Sequence, residues 1–144
     1  MANRHLSRSI VLQTLFESDF NSEKNNIDIK EATKRNLKEF APGLEDDVFV
    51  FSLLEEIIKK HKVIDEIIEK AAPYWPLDKI SYIDKNILRI GLTELLFGDR
   101  KQVPPKVAIN EALELGKLFG SEDGYKFVNG VMDKLLKINP QLNR

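Results

Sequence analysis

The chain contains no cysteine. That absence removes disulfides, thiolate metal sites and a cysteine nucleophile together. It fits a reducing compartment, and a cytoplasmic location is expected. Histidine occurs twice, at His5 and His61, far apart and in no metal-ligand spacing. Gly120, Gly124 and Gly130 do not have the spacing of a phosphate-cradling loop. No Gly-x-Ser-x-Gly elbow occurs. The abundant carboxylates fall mostly on polar helix faces, so paired-acid catalysis is not expected either. No apolar run approaches the ~20 residues that cross a bilayer. Neither an enzyme, a cofactor nor a membrane partner is expected. Arg4, Ser7, Arg8 and Ser9, acid-free before Glu17, mimic an organelle presequence. An exposed first helical turn is the simpler reading.

Excess charge is also missing. Acids number 23 and Lys plus Arg 22, for a net charge of -1. A nonspecific nucleic-acid binder is thereby disfavoured, and any nucleic-acid site must be a local patch. The charge map allows one. Acids gather at Glu45, Asp46, Asp47, Glu55 and Glu56, while Arg4 and Arg8, and then Arg100, Lys101 and Lys106, stand apart from acids.

What the chain has is helical spacing nearly everywhere, with no period-two run of a strand. With 144 residues it is read as one domain of two helical halves sharing a core, large enough to bury roughly 70% of its unfolded surface. The first helix is expected over 4–20, with Asn3 as its cap. Its apolar residues lie on several sides, which places it centrally. After a polar loop at 21–26, a second helix over 29–40 ends at Ala41-Pro42-Gly43. A third spans 44–60, with Val48, Phe51, Leu54, Ile57 and Ile58 inward, and a fourth spans 63–71 after a break near His61. Ala72-Pro73-Tyr74-Trp75-Pro76-Leu77 is the strongest punctuation, and the joint between halves is placed at 72–78. Trp75 is read as a packing plug there.

Ser81 to Asp84 form a capping-box pattern before a strongly apolar helix ending at Phe97. Gly91 within it predicts a close helix crossing. Pro104 and Pro105 open the next helix, with Val107, Ala108, Ala112, Leu115 and Phe119 inward. Gly120 is expected as a left-handed stop and Ser121 as the cap of the last helix, which Pro140 ends. Asn129-Gly130 predicts tight packing or a contact in that helix.

Two places can meet RNA through phosphate contacts and base stacking. One is the first turn, Arg4, His5 and Arg8. The other is the turn at 120–127, with Lys126 and Phe127 after a cap whose free N–H groups can bind phosphate. Each has a plainer alternative. The arginines can be solvated charges, Phe127 can extend the core stripe, and Asp123 can be a helix N-terminal acid.

A resemblance sharpens this. Asp84-Lys-Asn-Ile-Leu-Arg-Ile-Gly-Leu-Thr-Glu-Leu, Val103-Pro-Pro-Lys-Val-Ala-Ile-Asn-Glu-Ala and Lys126-Phe-Val-Asn-Gly-Val-Met-Asp resemble, in order, the motifs of the NusB family. Residues 4–16 resemble its arginine-rich first helix, though His5 and Leu6 stand among its basic positions. The resemblance implies an all-α fold of two helical-bundle subdomains around the first helix. It implies binding of boxA RNA as a heterodimer with NusE, the tenth small-subunit ribosomal protein, in a complex with NusA, NusG and RNA polymerase. Carried over, Arg4, His5 and Arg8 face phosphates, Lys126 and Phe127 contact RNA, and Asp123 modulates affinity. Asp84 and Glu94 fall on the NusE face. The arginine-poor first turn implies weak, salt-sensitive RNA binding alone and tighter binding with NusE. Alternatives are a helical protein-binding adaptor, a homodimer masking its basic turn, or a relative of the RNA-binding domain of ribosomal RNA cytosine methyltransferases. The 144 residues hold no cofactor-binding segment, so no methyltransferase activity is expected of them.

Overall fold

The computed structural model describes residues 4–21, 28–44, 47–74, 79–99 and 101–138. Within these residues the chain forms helices α1 (Arg4–Asn21), α2 (Ile29–Phe40), α3 (Val48–Lys59) and α4 (His61–Ala71). The second half supplies α5 (Tyr82–Phe97), α6 (Pro105–Phe119) and α7 (Glu122–Ile138). No strand occurs among the described residues. The expected cap Asn3, the loop after Asn21, Glu45, Asp46, Trp75, Arg100 and Pro140 lie outside them.

Local chemistry sets most boundaries. Asp28 caps α2 by accepting from the N–H groups of Lys30 and Glu31, and Ala41 closes its last turn. Ser81 Oγ accepts from Asp84 N–H at 3.1 Å at the start of α5. Pro105 opens α6 at its first position, where no N–H is needed. Ser121 Oγ accepts from Gly124 N–H at 2.9 Å at the start of α7.

α1 and α5 are the two central helices. α1 packs on α2, α3 and α5, while α5 also meets α3, α4, α6 and α7. One apolar cluster runs from Ile10, Val11 and Leu12 of α1 through Ile64 and Ile68 of α4 to Leu115 and Met132. Each such side chain contributes roughly 1.5–3 kcal/mol relative to exposure. α5 is buried on almost every side from Asn86 to Leu95. Gly91 makes this possible, since a Cβ there would collide with Met132 Cε and lie 2.9 Å from Ala112 Cβ. The predicted close crossing is therefore three-sided, joining α5, α6 and α7.

Polar side chains tie the halves together inside this core. Arg89 of α5 donates to both carboxylate oxygens of Asp65 on α4, each at 2.9 Å. It also donates to Asp19 of α1 at 3.0 Å and to Asn86 at 3.1 Å. Asn36 of α2 donates to Thr14 of α1 at 3.1 Å.

Several expectations change. α3 begins at Val48 rather than at 44, and it buries Val50, Leu53, Leu54 and Ile57. Val48 and Ile58 are exposed. Its polar residues Ser52, Glu55, Glu56 and Lys59 recur at helical spacing, and the inner face lies opposite them, one step away from the expected Val48 and Ile58. Val107 and Phe119 of α6 are exposed as well. Gly120 is extended, with φ -93 and ψ 174, not left-handed. Space explains the glycine instead, because a Cβ would sit 2.9 Å from the Gly116 carbonyl oxygen and 3.1 Å from Asp84 Oδ1. Asn129 and Gly130 face solvent, with nothing within 4 Å of a Cβ on Gly130, so no tight packing occurs there.

Candidate nucleic-acid interface

α1 presents its first two turns with the three predicted side chains in different states. Arg4 is half-buried, its guanidinium 4.4 Å from the centre of the Phe49 ring and donating to Gln102 Oε1 at 3.0 Å. These contacts hold it without neutralising its charge. His5 lies with Nδ1 3.4 Å from Glu111 Oε2. Arg8 is 2% exposed. Its Nε and Nη2 donate to the two oxygens of Glu94 at 2.8 and 2.9 Å, and Nη1 lies 3.5 Å from Glu111. The expectations that Arg8 faces phosphate and that Glu94 faces a partner are both corrected by burial. Each is the other's counter-charge inside the α1–α5–α6 junction, and Glu94 is 4% exposed. A fork-to-carboxylate pair of this geometry is strong but already spent. Glu111, Gln102 and Phe49 complete the cluster. Sequence reasoning missed all three as partners, since none is within 40 residues of Arg4 or Arg8 and spacing reports only neighbours on one helix.

The second place is the junction of α6 and α7 against the start of α5. Asp84 is also buried, at 9% exposed, so it does not offer a free carboxylate to a partner. Ser81 donates to its Oδ2 at 2.9 Å. Its other oxygen makes no hydrogen bond and presses against Gly124. The carboxylate thus meets the positive end of α7 at close range, and the missing Cβ of Gly124 permits the approach. Around it, Lys79, Ser121, Asp123, Lys126 and Phe127 border a recess of about 540 Å³. Asp123 and Lys126 are exposed, and Lys126 lies 3.8 Å from Glu122, a loose surface pair. Phe127 is half-buried and packs against the core, as the plainer reading has it, and it also borders the recess.

A larger groove of about 700 Å³ lies beside α1. It runs along α1 from His5 past Leu6, Ile10 and Phe16, and is bordered by Phe40, Ile83 and Phe119. Phe40 and Phe119 are both about half exposed, at 52% and 49%. The chain therefore carries a fixed arginine and an apolar trough along α1, and a lysine–phenylalanine pair at the start of α7. Such surfaces can seat an apolar partner and a nucleic-acid strand.

Comparisons with known proteins identify the family. The NusB family pattern matches residues 5–137. Transcription antitermination protein NusB of Dehalococcoides mccartyi is 38% identical over 135 residues, covering 94% of this chain and 90% of that protein. The solved NusB of T. maritima superposes with a TM-score of 0.80 at 28% identity, covering 95% of this chain and 93% of that one. A crystal structure of antitermination factors NusB and NusE in complex with dsRNA contains a chain matching at TM-score 0.79 and 26% identity, over 94% of this chain and 96% of that one. With the family pattern spanning nearly all of its length and all of its helices, the chain belongs to the NusB family.

Proposed function

We propose that the protein is a transcription antitermination factor that binds boxA RNA of nascent transcripts together with NusE, and that it has no catalytic activity. One observation carries this reading: the chain matches, over 94% of its length, a protein solved with NusE and RNA. The assembled complex would join NusA, NusG and RNA polymerase at ribosomal RNA operons.

The geometry distributes the roles. Arg4 and His5 at the start of α1 and Lys126 at the start of α7 supply phosphate contacts. Phe127 stacks an unpaired base at the border of the recess. Asp123, exposed between them, repels phosphate and limits affinity. NusE seats on the apolar groove beside α1, where Phe40 and Phe119 are left for a partner to cover. Arg8 and Glu94 act from beneath as a rigid support for the first turn, and Asp84 does the same for the start of α7.

The overall charge of -1 leaves little long-range attraction for RNA. Binding by the protein alone is therefore weak and salt-sensitive, and NusE strengthens it by adding its own surface to the same strand. A titration of boxA RNA with and without NusE tests this. Equal affinity in both arms overturns the cooperative assignment.

A further inference from the structure

Of the three basic side chains at the start of α1, two meet a carboxylate. His5 lies 3.4 Å from Glu111, and Arg8 is paired with Glu94. Arg4 forms no ion pair among the described residues, although Glu56 and Asp99 border the same recess. Its contacts are neutral ones. The guanidinium stands 4.4 Å from the centre of the Phe49 ring, and Nη2 donates to Gln102 Oε1 at 3.0 Å.

Both supports are themselves fixed. Phe49, in the first turn of α3, packs against the core cluster. Arg8, held by Glu94, lies 5.3 Å from the centre of the same ring. Gln102 sits in the turn between α5 and α6, where the Asp99 carbonyl accepts from the N–H groups of Gln102 and Val103 at 3.0 and 2.8 Å. Asp99 Oδ1 accepts from Lys101 N–H at 2.9 Å, and Val103 is buried. The turn therefore presents Gln102 in one place.

A guanidinium has five N–H donors in one plane. An aromatic ring attracts its charge without using a donor, and Gln102 uses one. The remaining donors stay available for a phosphate. The charge stays available too, because the acceptor is a neutral amide. A carboxylate in its place would cancel that charge, as Glu94 does for Arg8.

We infer that Phe49 and Gln102 are positioning residues for RNA binding, holding the Arg4 guanidinium in place before the strand arrives. A side chain already fixed loses less freedom on binding, so the contact is tighter than a free arginine would give. The inference rests on the RNA-binding reading above. Neither residue needs to touch the strand.

The test is a titration of boxA RNA with the full chain and NusE at several salt concentrations, in double-mutant cycles with Arg4→Ala. Phe49→Leu keeps an apolar side chain without the ring, and is expected to weaken binding roughly three- to tenfold. Phe49→Tyr restores it. Gln102→Ala weakens binding with the salt slope unchanged, since the charge of Arg4 remains. Gln102→Glu lowers that slope by about one, since the charge is cancelled. Gln102 is exposed, so its variants keep the melting temperature and decide the matter if Phe49→Leu does not fold. With Arg4→Ala already present, Phe49→Leu and Gln102→Ala have no further effect. If they weaken binding equally in both backgrounds, or if Arg4→Ala changes nothing, the positioning role is overturned and the RNA-binding reading stands on Lys126 and Phe127. If the unmodified chain with NusE does not bind the RNA at all, both are overturned.

Discussion

Arg8 and Glu94 are charged groups that water scarcely reaches, and neither can be removed alone at small cost. Glu94→Ala leaves the guanidinium buried without a counter-ion and is expected to cost about 3–5 kcal/mol in urea unfolding. Arg8→Met with Glu94→Leu together is expected to be far milder, since no orphaned charge remains. A loss below about 1 kcal/mol for Glu94→Ala would mean the pair is solvated. The same burial separates Arg8 from Arg4 in RNA binding. Arg4→Ala lowers the slope of log affinity against log salt by about one, whereas Arg8→Ala lowers the melting temperature and leaves the slope unchanged. At this scale the sequence is least legible. Arg4 and Arg8 share one stripe of α1, and nothing in their spacing tells a half-exposed arginine from a sealed one. The difference lies in Glu94 and Glu111, which arrive from α5 and α6. Asp84 reads as a possible helix cap in the sequence, but Ser81 is the cap and Asp84 accepts from its hydroxyl, while its contact with Gly124 needs two helices brought together.

Helix ends were the most legible feature, because they depend on groups within four residues. Asp28, Ser81, Pro105 and Ser121 act where local rules place such residues. Inner faces were legible where a polar face opposes an apolar one, as on α4 and α7. They were less legible in the first turn of α3, where Val48, Phe49, Val50 and Phe51 are all apolar, although Ser52, Glu55, Glu56 and Lys59 mark the outer face further on. The glycines of α5 and α7 give opposite predictions. Gly91→Ala forces the α5–α6 crossing apart at Ala112 and is expected to destabilise by about 1–3 kcal/mol despite better helix propensity. Gly130→Ala gains propensity with nothing to collide with and is expected to stabilise by up to about 1 kcal/mol. Thermal unfolding of the two variants checks this pair, and the same sign for both would contradict the packing described for α5.

At the scale of the whole molecule, α1 and α5 hold the other helices around one shared apolar cluster. One cooperative transition is expected, with tryptophan fluorescence and far-UV circular dichroism changing together in urea. Two separated transitions would mean that the halves hold separate cores. The apolar groove beside α1 also bears on assembly, since a second copy of the chain could cover it in place of NusE. Light scattering is expected to show a monomer once NusE and RNA are added, and a dimer persisting in their presence would show that the groove is not NusE's seat. The all-α class and the family were legible from ordered motifs spread along the chain. The apolar groove was not, because Phe40, Ile83 and Phe119 meet α1 only in the fold.

The most direct measurement is a fluorescence-anisotropy titration of boxA RNA with the chain, alone and with NusE, alongside Arg4→Ala and Phe127→Ala. The account predicts weak binding alone, tighter binding with NusE, and a loss of affinity for each variant in both arms. NusE binding with no RNA bound in either arm would contradict it, and would leave the chain a protein-binding adaptor.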